Sequence, residues 1–154
     1  MKEDKKSFTD HTDKSNHTDK SNHTDKSNHT DKSNHTDQII QAAPTELEKV
    51  KAHIIVEIIE YIPNSVVSKT IIKKTTGNVT VTSFDTGEEL AEKTSPFDIY
   101  VQIIDGAAEV IINEKKFKLK LGEGIIIPAH APHCFNANEQ FKMISTVIKS
   151  GYED

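Results

Sequence analysis

Three groups of side chains have the types and spacing for chemistry. The first is periodic. From His11 to Asp37 the hexapeptide HTDKSN recurs four times in full and a fifth time as HTD, so five imidazoles stand six residues apart, each with an aspartate two residues on. Such a tract can hold Zn²⁺, Ni²⁺ or Cu²⁺ weakly. Protonation of five imidazoles near pH ~6.5 moves the net charge of residues 1–37 from −1 toward +4. The spacing offers no preformed metal site, and the plainer reading is a solvated array. The second group is His130, His133 and Cys134, a nitrogen and sulfur set suited to Zn²⁺ or copper. Neighbours on a strand point to opposite faces, so Cys134 is expected to turn away from His133. The third is Lys93 beside Glu88, Glu89 and Glu92. A desolvated lysine can hold an anionic group or a carbonyl, or act as a base or Schiff-base amine. The alternative is a lysine that snorkels to solvent, beside a solvated acidic loop.

These groups sit in two different materials. Residues 1–37 contain two apolar residues, Met1 and Phe8, whereas residues 38–154 contain 51 among 117, an ordinary globular share. A segment with so little to bury cannot offset the entropy of ordering its backbone. The sequence therefore predicts a disordered repeat tail over 1–37 and one domain over 38–154, a usual single-domain size.

Within the domain, Thr45 and Glu48 have capping-box spacing, and Leu47, Val50, Ile54, Ile58 and Ile62 recur at helical steps. A short N-terminal helix is expected there, with the β-branched run from Ile54 as a competing strand signal. Beyond it the pattern changes to short β segments over 65–74, 77–84, 98–105, 107–113, 116–121, 124–128, 132–135 and 140–149. Turn residues separate them at Thr76-Gly77-Asn78 and Asn113-Glu114. Evenly spaced short strands of this kind indicate an all-β antiparallel barrel or sandwich.

Bulk numbers exclude several functions. The longest apolar runs are too short for a membrane span. The N-terminus has no apolar stretch of a secretory signal, and a single cysteine fits a reducing compartment, so a cytoplasmic location is expected. The tail carries 7 lysines against 8 acids and the domain 12 against 16, which leaves no basic face for nucleic acid. All 19 basic residues are lysine. Without arginine, an anionic ligand must be held by lysine, backbone N–H groups or a metal.

Glycines and prolines punctuate the β segments at fixed spacings. Gly87 is followed by five residues, then Lys93-Thr94-Ser95, three more, Ile99, and six more to Gly106; then come Gly122, five residues, Pro128, and His130 two before Pro132-His133. This pattern resembles the two motifs of the cupin superfamily over about 65–149. The wording around it, such as SVVSKTIIK and VQII, is similar to a group of small single-domain bacterial cupins, most of which have no assigned reaction.

The resemblance implies a cupin (jelly-roll) antiparallel β-barrel. In metal-binding cupins, two histidines and a glutamate of the first motif and a histidine of the second converge on one ion inside the barrel. Here Lys93 stands at the first histidine, Ser95 at the second, Ile99 at the glutamate, and His133 alone is retained. The second motif's glycine is His130, and its asparagine falls on Ala137, between Asn136 and Asn138. Ammonium and alkyl groups offer a metal no lone pair, and one ligand is short of the three or four a site requires.

The expected function is therefore small-molecule binding in a barrel with a degraded metal site, with Lys93, Ser95 and His133 as the ligand-binding candidates. No resident cofactor is expected. The alternative is a metalloenzyme of the dioxygenase or isomerase class that holds Zn, Ni, Fe or Mn at His133 and His130 with unorthodox ligands. The resemblance also implies a homodimer, with Ile39, Ile40 and the 54–62 region as candidate contacts.

Overall fold

The computed structural model describes residues 39–41, 45–149 and 151, so the repeat tail expected over 1–37 lies outside the described residues. Among the described residues ten strands form two sheets. They are β1 (Ile39–Gln41), β2 (Val66–Lys74), β3 (Gly77–Phe84), β4 (Glu89–Lys93), β5 (Ile99–Gly106), β6 (Ala108–Ile112), β7 (Lys115–Leu119), β8 (Gly124–Ile127), β9 (His133–Asn136) and β10 (Phe141–Ile148). A six-stranded sheet runs β1-β2-β3-β10-β5-β8 and a four-stranded sheet runs β4-β9-β6-β7. All pairings are antiparallel except that of β1 with β2. The architecture is the all-β jelly roll that the sequence implies. No helix among the described residues is long and apolar enough to cross a membrane.

The inner faces obey the period-two rule of a pleated strand. On β5, Ile99, Val101 and Ile103 are buried while Tyr100 is exposed. On β6, Ala108, Val110 and Ile112 are buried. The barrel is sealed at one end by aromatics: Phe84 and Phe141, register partners on β3 and β10, stack at 4.4 Å with Phe135 6.0 Å from Phe84. Phe84 and Phe141 are inaccessible to solvent, and burying each contributes about 2–3 kcal/mol. The turn after β5 crosses this end closely. Gly106 has φ +68°, and a Cβ there would run into the Gln140 carbonyl oxygen, so only glycine fits.

A second apolar cluster lies on the outer face of the six-stranded sheet. Ile59, Val67 and Val81 are buried there, with Ile55, Ile58, Ile71 and Ile104 packed around them. The segment from Ile55 to Tyr61 forms this cover and is pinned at three points. The Ser83 hydroxyl donates to the Glu60 carbonyl (2.9 Å), Lys142 Nζ donates to the Val56 carbonyl (2.6 Å), and the Tyr61 hydroxyl donates to Asp105 (2.6 Å). Lys142 Nζ also lies 4.8 Å from the centre of the Tyr61 ring, a cation–π geometry. Burial, and then the neighbouring Asp105 carboxylate, push the Tyr61 phenol well above its ordinary pKa.

The short N-terminal helix is a correction. Residues 45–54 contain no helix, and Ile55–Glu57 make a single 3-10 turn. Backbone and side chains there bond to the sheet instead. The Leu47 N–H donates to Ile71 O, and the Glu46 carboxylate accepts the Lys73 N–H and pairs with Lys74. That hydrogen bond and that ammonium hold the Glu46 carboxyl below its usual range. Val50 has φ +56°, which interrupts any helix. Of the stripe read as one helical face, Val50, Ile54 and Ile62 are exposed, and the sheet is covered by Ile55, Ile58 and Ile59.

Candidate functional site

The end of the barrel opposite the phenylalanines is open, and it holds a chamber of about 190 Å³. Its lining divides in two. Hydroxyls and an amide come from one wall, with Ser68 on β2, Asn78, Thr80 and Thr82 on β3, and Ser145 on β10. Leu90, Ile99, Ile127, Phe135 and Met143 supply apolar surface, and Lys93 and His133 complete the site. The polar wall follows from strand periodicity. Asn78, Thr80, Thr82 and Phe84 occupy one face of β3, so the same face that seals the barrel with Phe84 becomes polar toward the mouth.

His133 opens β9 and is 1% exposed. Its Nδ1 lies 3.0 Å from the Ala131 carbonyl. A carbonyl only accepts, so Nδ1 carries the proton and Nε2 of the neutral ring carries a lone pair. Among the described residues every sealed side-chain nitrogen or oxygen has a partner. Nε2 has none, so it opens onto the chamber that His133 lines. The ring meets Phe135 edge-on at 6.2 Å and 82°, which fixes its plane.

Lys93 reaches the same chamber by a bulge. Leu90 pairs with Phe135 and Lys93 with His133, three residues on β4 against two on β9, with the register shift between them. Without the extra residue Lys93 would fall on the face opposite Leu90; the bulge returns it to the inner face. Lys93 stands at the exposed rim, directly across from His133. It forms no ion pair among the described residues, although Glu88, Glu89 and Glu92 precede it.

The other candidates fall elsewhere. Ser95 lies beyond the end of β4, where its hydroxyl accepts the Phe97 N–H (3.1 Å) and its carbonyl accepts the His130 N–H (2.6 Å). It organises a turn and does not line the chamber. His130 is exposed, has φ +68°, and is likewise outside the lining. Cys134 faces away from the chamber, and burial, together with Glu92, Glu89 and Glu109, raises its thiol pKa. Ile99 lines the chamber, as expected for the residue at the motif's glutamate position. The hydroxyl wall was missed by sequence reasoning.

Comparison with solved structures identifies the fold. A cupin 2 conserved barrel domain protein from Leptotrichia buccalis superposes with TM-score 0.60 at 35% identity, over 61% of this chain and 46% of that one. A cupin superfamily protein from Desulfitobacterium hafniense matches with TM-score 0.64 at 23% identity, over 70% of this chain and 98% of its own.

The barrel has the cupin fold.

A Streptococcus pyogenes protein of unknown function also matches, with TM-score 0.66 and 28% identity over 75% of this chain and 97% of that one. No protein-family model and no curated protein matches the chain. Set against the cupin metal site, the chamber offers one imidazole and no carboxylate or thiol. Among the described residues there is no group of three or more His, Cys, Asp or Glu able to hold an ion. The donors present do not fit a resident divalent metal, which needs three or four.

Proposed function

We propose that this cupin is a small-molecule-binding module whose metal motif is degraded. The observation that carries the reading is the lining of the chamber: a positively charged lysine stands where a cupin ligand would, and one imidazole remains beside a hydroxyl-bearing wall. A concave, mostly apolar space with a few convergent polar groups is the usual form of a ligand site, and 190 Å³ is below the ~300–1,000 Å³ of drug-sized sites. The ligand is therefore a small metabolite. The acidic balance of the domain supports a protein that engages neither nucleic acid nor anionic membranes, and we place it in the cytoplasm as a homodimer. Ile40, Ile54 and Ile62 remain exposed for contact, which light scattering after size exclusion will check.

A second reading has one specific observation in its favour. His133 donates Nδ1–H to a carbonyl and leaves Nε2 open, the orientation used by metal-ligating imidazoles. A metalloenzyme of dioxygenase or isomerase type would bind its ion there. Elemental analysis of the untagged protein, with and without residues 1–37, separates the readings. Stoichiometric metal on the shortened protein that vanishes in His133→Ala overturns the binding-module reading. Metal on the full chain alone assigns it to the histidine repeat. Absence of metal from both, with a small molecule released on denaturation, supports the proposal.

A further inference from the structure

The charge of the chamber selects the charge of its occupant. We propose that the barrel binds a small organic carboxylate carrying a hydrogen-bond donor, such as a hydroxyl, next to the acid group. Lys93 is the counter-ion, and Nε2 of His133 accepts from the donor. The inference rests on the binding-module reading and specifies its ligand class.

Three observations carry it. First, the lining holds Lys93 and no aspartate or glutamate, so its one formal charge is positive. The acids nearest in sequence leave that charge uncompensated: Lys93 forms no ion pair among the described residues. A cation at the rim of a low-dielectric space attracts an anion more strongly than the same cation on an open surface. It also disfavours cationic ligands. Second, His133 is almost wholly buried, and its Ala131 contact leaves Nε2 as an unpartnered acceptor. A bare carboxylate would be repelled by that lone pair, so the group facing it must be an N–H or O–H. Third, Lys93 and His133 are direct register partners across β4 and β9. Side chains so placed have Cβ atoms about 4.5–5.5 Å apart, so both start from neighbouring points of the wall and can reach adjacent groups of one ligand. The remaining apolar part of the ligand faces Leu90 and Phe135.

The test is a heteronuclear NMR titration of the full chain, read at the Lys93 and His133 backbone resonances, with four isosteric probes. These are α-hydroxyisovalerate, isovalerate, isovaleramide and isoamylamine. The expected order is hydroxy acid tightest, then the acid, then the amide, with no response to the amine. Lys93→Met weakens both acids about tenfold, the size of one partly solvated charge-assisted contact, and leaves the amide unchanged. Wild-type protein that binds the amide as tightly as the acid, or Lys93→Met with unchanged acid affinity, overturns the anion assignment and leaves the binding-module reading standing. Equal affinity for the acid and the hydroxy acid overturns the role given to His133. No response to any probe overturns the anion assignment, while the metal analysis above decides the parent reading separately. His133→Leu provides a further check where it folds: it removes the preference for the hydroxy acid and spares that for acid over amide.

Discussion

His130 holds a backbone conformation that a β-carbon resists, and the sign of its replacement by glycine can be worked from the structure. Its φ is +68°, and the left-handed region costs an L-residue roughly 1–2 kcal/mol, with histidine among the more tolerant types. The backbone N–H donates to Ser95 O at 2.6 Å, a bond that glycine keeps. The imidazole is exposed and has no hydrogen-bond partner among the described residues. Glycine relieves the strain but raises the entropy of the unfolded chain, a loss of about 0.5–1 kcal/mol. The difference is a net gain of up to about 1 kcal/mol for His130→Gly, or a rise of a few degrees in Tm by calorimetry for a domain this size. His130→Ala is the control. It deletes the imidazole and keeps the strain, so its Tm should match or fall below that of the parent. A lower Tm for His130→Gly, or equal gains from glycine and alanine, would refute the reasoning and show that the side chain, not the backbone, sets stability here.

Four further outcomes are expected. Glu114 sits in the β6–β7 hairpin beside Asn113, both with positive φ, a primed turn that favours Asn-Gly; Glu114→Gly should raise the urea midpoint by a few tenths of a molar without changing its slope, a gain of ~0.5 kcal/mol. Phe141→Ala removes a fully buried ring and its stack on Phe84 and should cost about 3–5 kcal/mol in urea unfolding. The raised Tyr61 pKa means that the fold favours the neutral phenol. Its contribution is complete below the unfolded tyrosine value of about 10 and is lost as pH rises through the higher folded value, so Tyr61→Phe should flatten the alkaline decline of Tm. Cys134 has a raised thiol pKa, so its alkylation by iodoacetamide should show a pH midpoint above that of a cysteine peptide, and urea unfolding should bring the two together.

The barrel was legible because its strands alternate and its turns carry glycine or asparagine. Two strands escaped this signal. β1 is three residues long and gains its strand form only by pairing with β2. β4 reads Glu-Leu-Ala-Glu-Lys, a charged stretch with one buried residue, Leu90. The stripe from Leu47 to Ile62 matched a helical period by spacing alone: Val50, Ile54 and Ile62 on it are exposed, and Ile55, Ile58 and Ile59 cover the sheet. At the site, Lys93, Ile99 and His133, the positions that glycine spacing singles out, line one chamber. It misplaced Ser95, because β4 ends at Lys93 and the chain turns before the next inward position. The hydroxyl wall was hidden by a phase ambiguity. In β3, Val79 and Val81 alternate with Asn78, Thr80 and Thr82, and the pattern suggests valines inward. The cover segment gives Val81 a second, outer core to face, which frees the threonines to line the interior.

The stacked phenylalanines at the far end make the chamber a blind cul-de-sac. Nothing can traverse it. A molecule enters and leaves by one doorway, so no second molecule can displace the first from behind, and each departure must precede the next arrival. Exchange is therefore governed by residence time at the Lys93 threshold, and an occupant too long for the cavity would be held by its tip alone with the remainder projecting into water.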